Sequence, residues 1–267
     1  MTKRTLERVW SPQLRNRRSV DVYLPASYPS GRRYPVVYMQ DGQNLSDPAT
    51  AFAGTWDLEA TLDRLAASSL EAIVVGVHNM GEARLAEYSP FPDRRHGGGD
   101  ADPYLEFLTA TLKPRIDRLF RTRGDREETA ILGSSMGGLV SLYAFFRFPS
   151  IFGRAAAMSP SLWFGGQAIL DFVENARTST GRLYVDVGRQ EGGGTLRDAR
   201  RLGRLLIAKG FARDRRARRT RAEYRGVDRR GRHDGKPRLR YVEDPRGRHN
   251  EAAWAGRLEG ALRFLLE

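Results

Sequence analysis

Seven short runs of β-branched and apolar residues alternate along this chain with stretches of helical period, and that alternation constrains the fold more than any other feature. The runs are RSVDVYLP (18–25), YPVVYMQD (34–41), EAIVVGVHN (71–79), ETAILG (128–133), RAAAMS (154–159), RLYVDVG (182–188) and RLRYVED (238–244). Helical patterns cover 57–67, 103–120, 136–148, 168–176, 195–209 and 250–266. Parallel strands need a crossover, usually a helix, so this order predicts an α/β fold with a mostly parallel central sheet and helices on both faces. The first two runs are expected to form an antiparallel edge with the chain start. In the last helical stretch Trp254, Leu258, Ala261, Leu262 and Leu265 recur at i, i+4, i+7, i+8 and i+11, a stripe that would dock on the sheet.

The 267 residues contain no Gly/Pro/Ser-rich linker that would separate two folding units, so a single domain over 1–267 is expected. Two segments depart from the alternation. Residues 84–104, RLAEYSPFPDRRHGGGDADPY, read as a long loop of the functional kind, and 213–237 as an Arg-rich insertion before the last strand. No apolar run approaches the roughly 18 residues a bilayer span needs, and MTKRTLERVW lacks a signal-type apolar stretch, so a soluble, cytoplasmic chain without a membrane partner is expected. Cysteine is absent, which leaves covalent chemistry to a serine or a carboxylate. Of the +13 formal charge, an excess of nine falls in 213–240, where thirteen basic residues meet four acidic ones. Arginine makes up 41 of the 45 basic residues, so the run reads as a compositional bias and a solvated face. Tyr224 is the one aromatic interleaved there, so a nucleic-acid partner is not expected.

ILGSSMGGLV (131–140) places a serine among glycines between a predicted strand and a predicted helix. A phosphate loop is excluded by spacing, because neither G-x-x-x-x-G-K-[ST] nor G-x-G-x-x-G occurs. The segment does fit G-x-S-x-G with Ser135 central, in the strand–turn–helix context of a nucleophile elbow. At Gly133 and Gly137 a Cβ would strike the neighbouring strand or helix.

A serine hydroxyl is a poor nucleophile at neutral pH and needs a histidine base held by a carboxylate, in the chain order Ser, acid, His for this fold. Only His233 and His249 follow Ser135. His249 lies between the last strand and the last helix, where the base is expected, and His233 lies in the Arg-rich insertion. His78 and His96 precede the serine and fit strand-end and loop positions. Glu191 stands just beyond the strand 182–188 and ranks first as acid, with Asp186 and Asp244 left open. Oxyanion donors are expected from the N–H of Met136 and of Gln43, the latter on a turn that Gly42 lets bend toward the serine.

In chain order, VDVYLPASYP, YPVVYMQDGQNLSD, GTWDLEATLDRL, AIVVGVHN, EYSP, ILGSSMGGLVSLYAFFRFPSIFGRAAAMSPSLWF, LYVDVGRQEG and GRHNEAAWAGRL resemble the esterase D-like or "Putative esterase" branch of the α/β-hydrolases. The resemblance runs from about Val20 to the C-terminus. It implies an α/β-hydrolase fold with Ser135 as nucleophile, Glu191 as acid, His249 as base and the main chain of Gln43 and Met136 as oxyanion donors, with no metal or organic cofactor. The SPSLWF segment resembles the loop beside the family nucleophile, so Ser161 and Trp163, with Asp41, are expected to meet substrate; the alternative for Trp163 is a core aromatic. The family holds feruloyl, acetyl-xylan and siderophore esterases, formylglutathione hydrolases and mycolyltransferases. The implied partner is therefore a small-molecule or carbohydrate-linked ester, with acyl transfer to an alcohol as the alternative to hydrolysis. The long basic insertion departs from the family, and the missing cysteine departs from the formylglutathione branch. Arginines bordering the site would favour an anionic or catecholate ester. Oligomeric state is not legible in the sequence.

Overall fold

The computed structural model describes residues 1–51, 54–214 and 238–267. The Arg-rich insertion, with Tyr224 and His233, lies outside the described residues apart from Arg213 and Asp214. Strands β1 (Thr2–Ser11), β2 (Asn16–Leu24), β3 (Val36–Met39), β4 (Ile73–Val77), β5 (Thr129–Ser134), β6 (Arg154–Met158), β7 (Arg182–Gly188), β8 (Ala212–Arg213) and β9 (Arg238–Asp244) form one sheet in the order β1-β2-β4-β3-β5-β6-β7-β9-β8. From β4 to β8 every pairing is parallel; β2 pairs antiparallel with both β1 and β4. The helices are α1 (Leu58–Ala66), α2 (Arg84–Glu87), α3 (Ala101–Glu106), α4 (Lys113–Leu119), α5 (Met136–Arg147), α6 (Ala168–Asn175), α7 (Gly193–Ala208) and α8 (Glu251–Leu266). No described helix is long and apolar enough to cross a membrane.

The expected mostly parallel sheet is present, but the strand read at 34–41 is not part of its antiparallel edge. All four residues of β3 are buried, and they alternate: Val36 and Tyr38 join one core cluster, Val37 and Met39 the other. A strand with apolar side chains on both faces belongs in the middle of a covered sheet. The edge is built by the chain start and the first run, as expected: β1, with its mostly exposed TKRTLERVWS, pairs with β2 through a register shift between Leu6 and Val9, where Arg8 takes a φ of 52°.

Each face of the sheet has its own cover. Leu58, Leu62 and Leu65 of α1 pack with Trp254, Leu258, Ala261, Leu262 and Leu265 of α8 on one side, so the terminal stripe docks as expected. Helices α3 to α7 cover the other. The helix predicted over 103–120 is α3 and α4 joined by a wider, π-type turn, Phe107–Leu112. Pro114 explains the widening: it has no N–H to donate, and its ring crowds the carbonyl four residues back.

Parallel register brings the working ends together. Ser134 lies opposite Met158, Met158 opposite Asp186, and Gly188 opposite Asp244. The segments that leave β5, β6, β7 and β9 therefore emerge side by side at the carboxyl edge of the sheet, where open α/β sheets carry their sites.

Candidate active site

Ser135 sits between β5 and α5 with φ 54° and ψ −120°, a strained conformation for a residue with a Cβ. Three main-chain bonds hold it there: its N–H donates to Met158 O at 3.0 Å, and its carbonyl accepts from Leu139 N and Ser161 N, each at 3.0 Å. The glycines make the turn possible. A Cβ at Gly133 would lie 2.6 Å from the Gly137 main chain, and one at Gly137 would lie 3.0 Å from Gln40 Cβ. Gly133→Ala is therefore expected to cost about 1–3 kcal/mol in denaturant unfolding, because a backbone atom must move, and Gly137→Ala less, because a side chain can. Equal stability of Gly133→Ala and parent would mean the close approach does not persist in solution.

The hydroxyl produced by this turn meets the expected base. His249 Nε2 lies 2.9 Å from Ser135 Oγ, and His249 Nδ1 lies 2.9 Å from Glu191 Oε2. The imidazole follows β9 and precedes α8, whose N-cap Asn250 accepts from Ala253 N at 3.0 Å. It stands edge-on to Trp254 with ring centroids 5.0 Å apart, and 41% of its side chain is exposed. Glu191 is fully covered. Burial alone would push its carboxyl up, but hydrogen bonds from His249, Ser159 Oγ (2.6 Å) and Gly188 N (2.7 Å) outweigh that and hold it below the ordinary glutamate value. An ionised Glu191 favours the tautomer with the proton on Nδ1, which leaves Nε2 free to accept from the serine.

Asp186 and Asp244 make no hydrogen bond to His249. Asp186 lies inside β7, fully buried, and burial pushes its carboxyl up to about 6 against the pull of Arg257, Ser159 N and Tyr184 O–H.

The two main-chain donors expected from sequence lie on separate turns. Met136 opens α5, so its N–H belongs to the first turn, where a helix has no carbonyl to offer. Gln43 lies in a 3₁₀ turn, Gly42–Asn44, whose first N–H to bond is that of Asn44, to Asp41 O at 2.8 Å. Gly42 rests against β4 so closely that a Cβ would fall 2.5 Å from Gly76.

Asp41, with φ 55°, is buried, and its carboxylate is taken by Arg84 (Nε 2.7 Å, Nη2 2.8 Å) and Asn79 Nδ2 (2.6 Å). Ser161 Oγ is 3.2 Å from Ser135 Oγ. Trp163 is 50% exposed, so it is not a core residue. It stands edge-on to His96 of the long loop, 5.9 Å between ring centroids. Asp93 anchors that loop, accepting from Arg95 N and His96 N on its own segment and from Gly165 N beyond Trp163. His78, in contrast, bonds Asp21 at 3.0 Å, on β2. His233 lies outside the described residues.

Sequence reasoning missed Ser159 and Arg257, which bind Glu191 from behind. Arg257 carried a readable signal: it is a charged residue directly beside Leu258, within the apolar stripe of α8.

Comparison with known proteins gives the family and the fold. A model of the Esterase family, described as "Putative esterase", matches residues 11–265. The uncharacterized protein YbbA of Bacillus subtilis is 29% identical over 182 residues, 66% of this chain and 69% of that protein. A siderophore triacetylfusarinine C esterase of Aspergillus fumigatus is 31% identical over 159 residues, 54% of this chain and 51% of the relative, so the match spans about half of that enzyme. Among solved structures, an IroE-like serine hydrolase from Shewanella oneidensis has the same fold, with a TM-score of 0.73 over 99% of this chain and 80% of that one at 21% identity. The fold is that of an α/β-hydrolase, the family match takes in Ser135, Glu191 and His249, and the chain belongs to the Esterase family.

Proposed function

We propose that the protein hydrolyses carboxylic esters through an acyl-enzyme, with Ser135, His249 and Glu191 as its catalytic residues. The observation that carries the reading is the pair of 2.9 Å contacts running from Ser135 Oγ through His249 to Glu191. Ser135 Oγ attacks the ester carbonyl while His249 Nε2 takes its proton. The N–H groups of Met136 and Gln43 stabilise the oxyanion. Collapse breaks the carbon–oxygen bond to the alcohol, which leaves with the proton from Nε2. Water then attacks the acyl-serine by the same route in reverse, releasing the acid and restoring the serine. No step calls for a metal or an organic cofactor.

The substrate is proposed to be a small-molecule ester of the siderophore or feruloyl kind, on the strength of family membership and the siderophore esterase relative. The half-exposed indole of Trp163, edge-on to His96, supports an aromatic group beside the scissile bond. Ser161, next to the nucleophile, is proposed to contact the ester, and Asp41 to act on substrate through Arg84, which it holds bidentate.

A fluorophosphonate probe tests the nucleophile: one label per chain is expected, located by peptide mass spectrometry on Ser135. A label elsewhere reassigns it. A panel of siderophore, feruloyl, acetyl-sugar and simple aryl esters, run with and without an alcohol acceptor, tests the substrate. Highest kcat/KM is expected on an aromatic acyl ester with free acid as product; an acyl-alcohol product in the acceptor arm would make the protein a transferase.

A further inference from the structure

The three carboxylates that sequence left open as partners of His249 all face one buried guanidinium. Arg257 of α8, 8% exposed, lies 3.3 Å from Asp186 Oδ2 through Nε, 3.6 Å from Glu191 Oε1 through Nη2 and 4.0 Å from Asp244 Oδ2 through Nη1. Ser159 completes the contact. Its Oγ accepts from Arg257 Nη2 (2.9 Å) and from Trp254 Nε1 (3.1 Å), and donates its one proton to Glu191 Oε1 (2.6 Å). Its N–H donates to Asp186 Oδ1 at 3.0 Å. Every hydrogen-bonding position of the hydroxyl is thus used, and the residue takes a φ of 42° to do so. Arg257 also fills the space under the loop that leads to His249, since a Cβ at Gly247 would come within 2.6 Å of Nη1.

A buried arginine is an expensive way to fill a helix face, because desolvation of the ion offsets much of its attraction to the acids, and an apolar side chain of similar volume would pack as well. Its geometry serves a different end. The guanidinium sits behind Glu191 while His249 sits in front, and its Nε lies in ionic contact with Asp186 without a hydrogen bond.

We propose that Arg257 is a positioning residue of the esterase site: acting with Ser159, it fixes Glu191 as the carboxylate that meets His249 and keeps Glu191 ionised. The inference rests on the reading of Ser135, His249 and Glu191 given above. The charged and titratable groups around the guanidinium are Tyr184 and Asp186 on β7, Glu191 after it, and Asp244 at the end of β9; His249 lies beyond Glu191.

The test compares the full chain with Arg257→Gln, Arg257→Lys and Ser135→Ala on a p-nitrophenyl ester, measuring kcat and KM across about pH 5 to 9. Arg257→Gln is expected to lower kcat on the order of 10- to 100-fold, as a misplaced catalytic group does, with KM little changed. The acidic limb of kcat/KM should move to higher pH by about half a unit or more, since removing a cation eases proton uptake by its neighbours. Arg257→Lys should return the limb toward that of the parent. A merely structural role would scale activity with the folded fraction equally at every pH, and an unmoved limb overturns the inference. Should Arg257→Gln fail to fold by circular dichroism, Ser159→Ala is read on the same limb, where a shift relative to the parent and to Arg257→Lys supports the inference and its absence overturns it. Ser135→Ala separates the layers: full activity there removes the underlying reading, whereas an inactive Ser135→Ala beside an unshifted Arg257 series removes this inference alone.

Discussion

Ser135→Ala should lower kcat on a small activated ester by about 10,000-fold or more while leaving the fold in place, the scale of loss when a serine hydrolase gives up its nucleophile. The change deletes one oxygen. That oxygen bonds His249, itself 41% exposed and open to water, and the buried Ser161, which loses one contact of 3.2 Å, so the stability effect should stay within about 1 kcal/mol. Backbone strain at φ 54° is the same for alanine as for serine, because both carry a Cβ. Two neighbouring hydroxyls serve as controls. Ser134, the buried last residue of β5, should tolerate alanine with kcat near that of the parent. Ser161 Oγ is 3.2 Å from Ser135 Oγ, so residual activity in Ser135→Ala that disappears in the Ser135→Ala/Ser161→Ala double variant would move the nucleophile to Ser161.

The elbow was legible in sequence because each of its requirements is local: a strand before it, a helix after it, and small residues where two main chains approach. The strands β7 and β9 were legible to the residue because β-branched and aromatic residues run through them and their ends are marked by glycine or acidic residues. β1 was legible only as an expected edge without bounds, because TKRTLERVWS pairs with a single neighbour at the sheet margin and keeps its charged side chains in water, so it carries almost no apolar alternation. The place of β3 in the sheet could not be read either. Strand order depends on which crossover returns beside which strand, and the local sequence of β3 says only that both faces are covered. Trp163 shows a related limit: its sequence leaves open a substrate contact or a core aromatic, and only the fold sets it half exposed, opposite His96. The support behind Glu191 joins Ser159 to Trp254 and Arg257, 95 and 98 residues away in sequence, and becomes visible only when parallel register aligns the ends of β6, β7 and β9.

Glu191→Gln should reduce kcat on the order of 1,000- to 10,000-fold, whereas Asp186→Asn and Asp244→Asn should keep most of the activity. All three are near-isosteric and remove one negative charge, so the comparison isolates position. Glu191 reaches His249 Nδ1 at 2.9 Å; a glutamine amide there turns either an N–H toward the imidazole or a neutral carbonyl, and the first stabilises the tautomer that cannot accept the serine proton. Asp186 instead bonds Ser159 N and Tyr184 O–H, with Arg257 beside it. Its carboxyl is pushed up to about 6, above the 3.8 of an exposed aspartate, so folding favours its protonated form. Its contribution to stability is then largest below the unfolded value and is lost as pH rises through about 6. Asparagine mimics the protonated form, so Asp186→Asn should flatten that part of the stability–pH curve while the esterase rate persists. Denaturant midpoints measured from about pH 4 to 8 beside kcat separate the two carboxylates. If Asp186→Asn abolishes turnover in a folded protein and Glu191→Gln does not, the acid is Asp186 and the contact seen at Glu191 is not the one that catalysis uses.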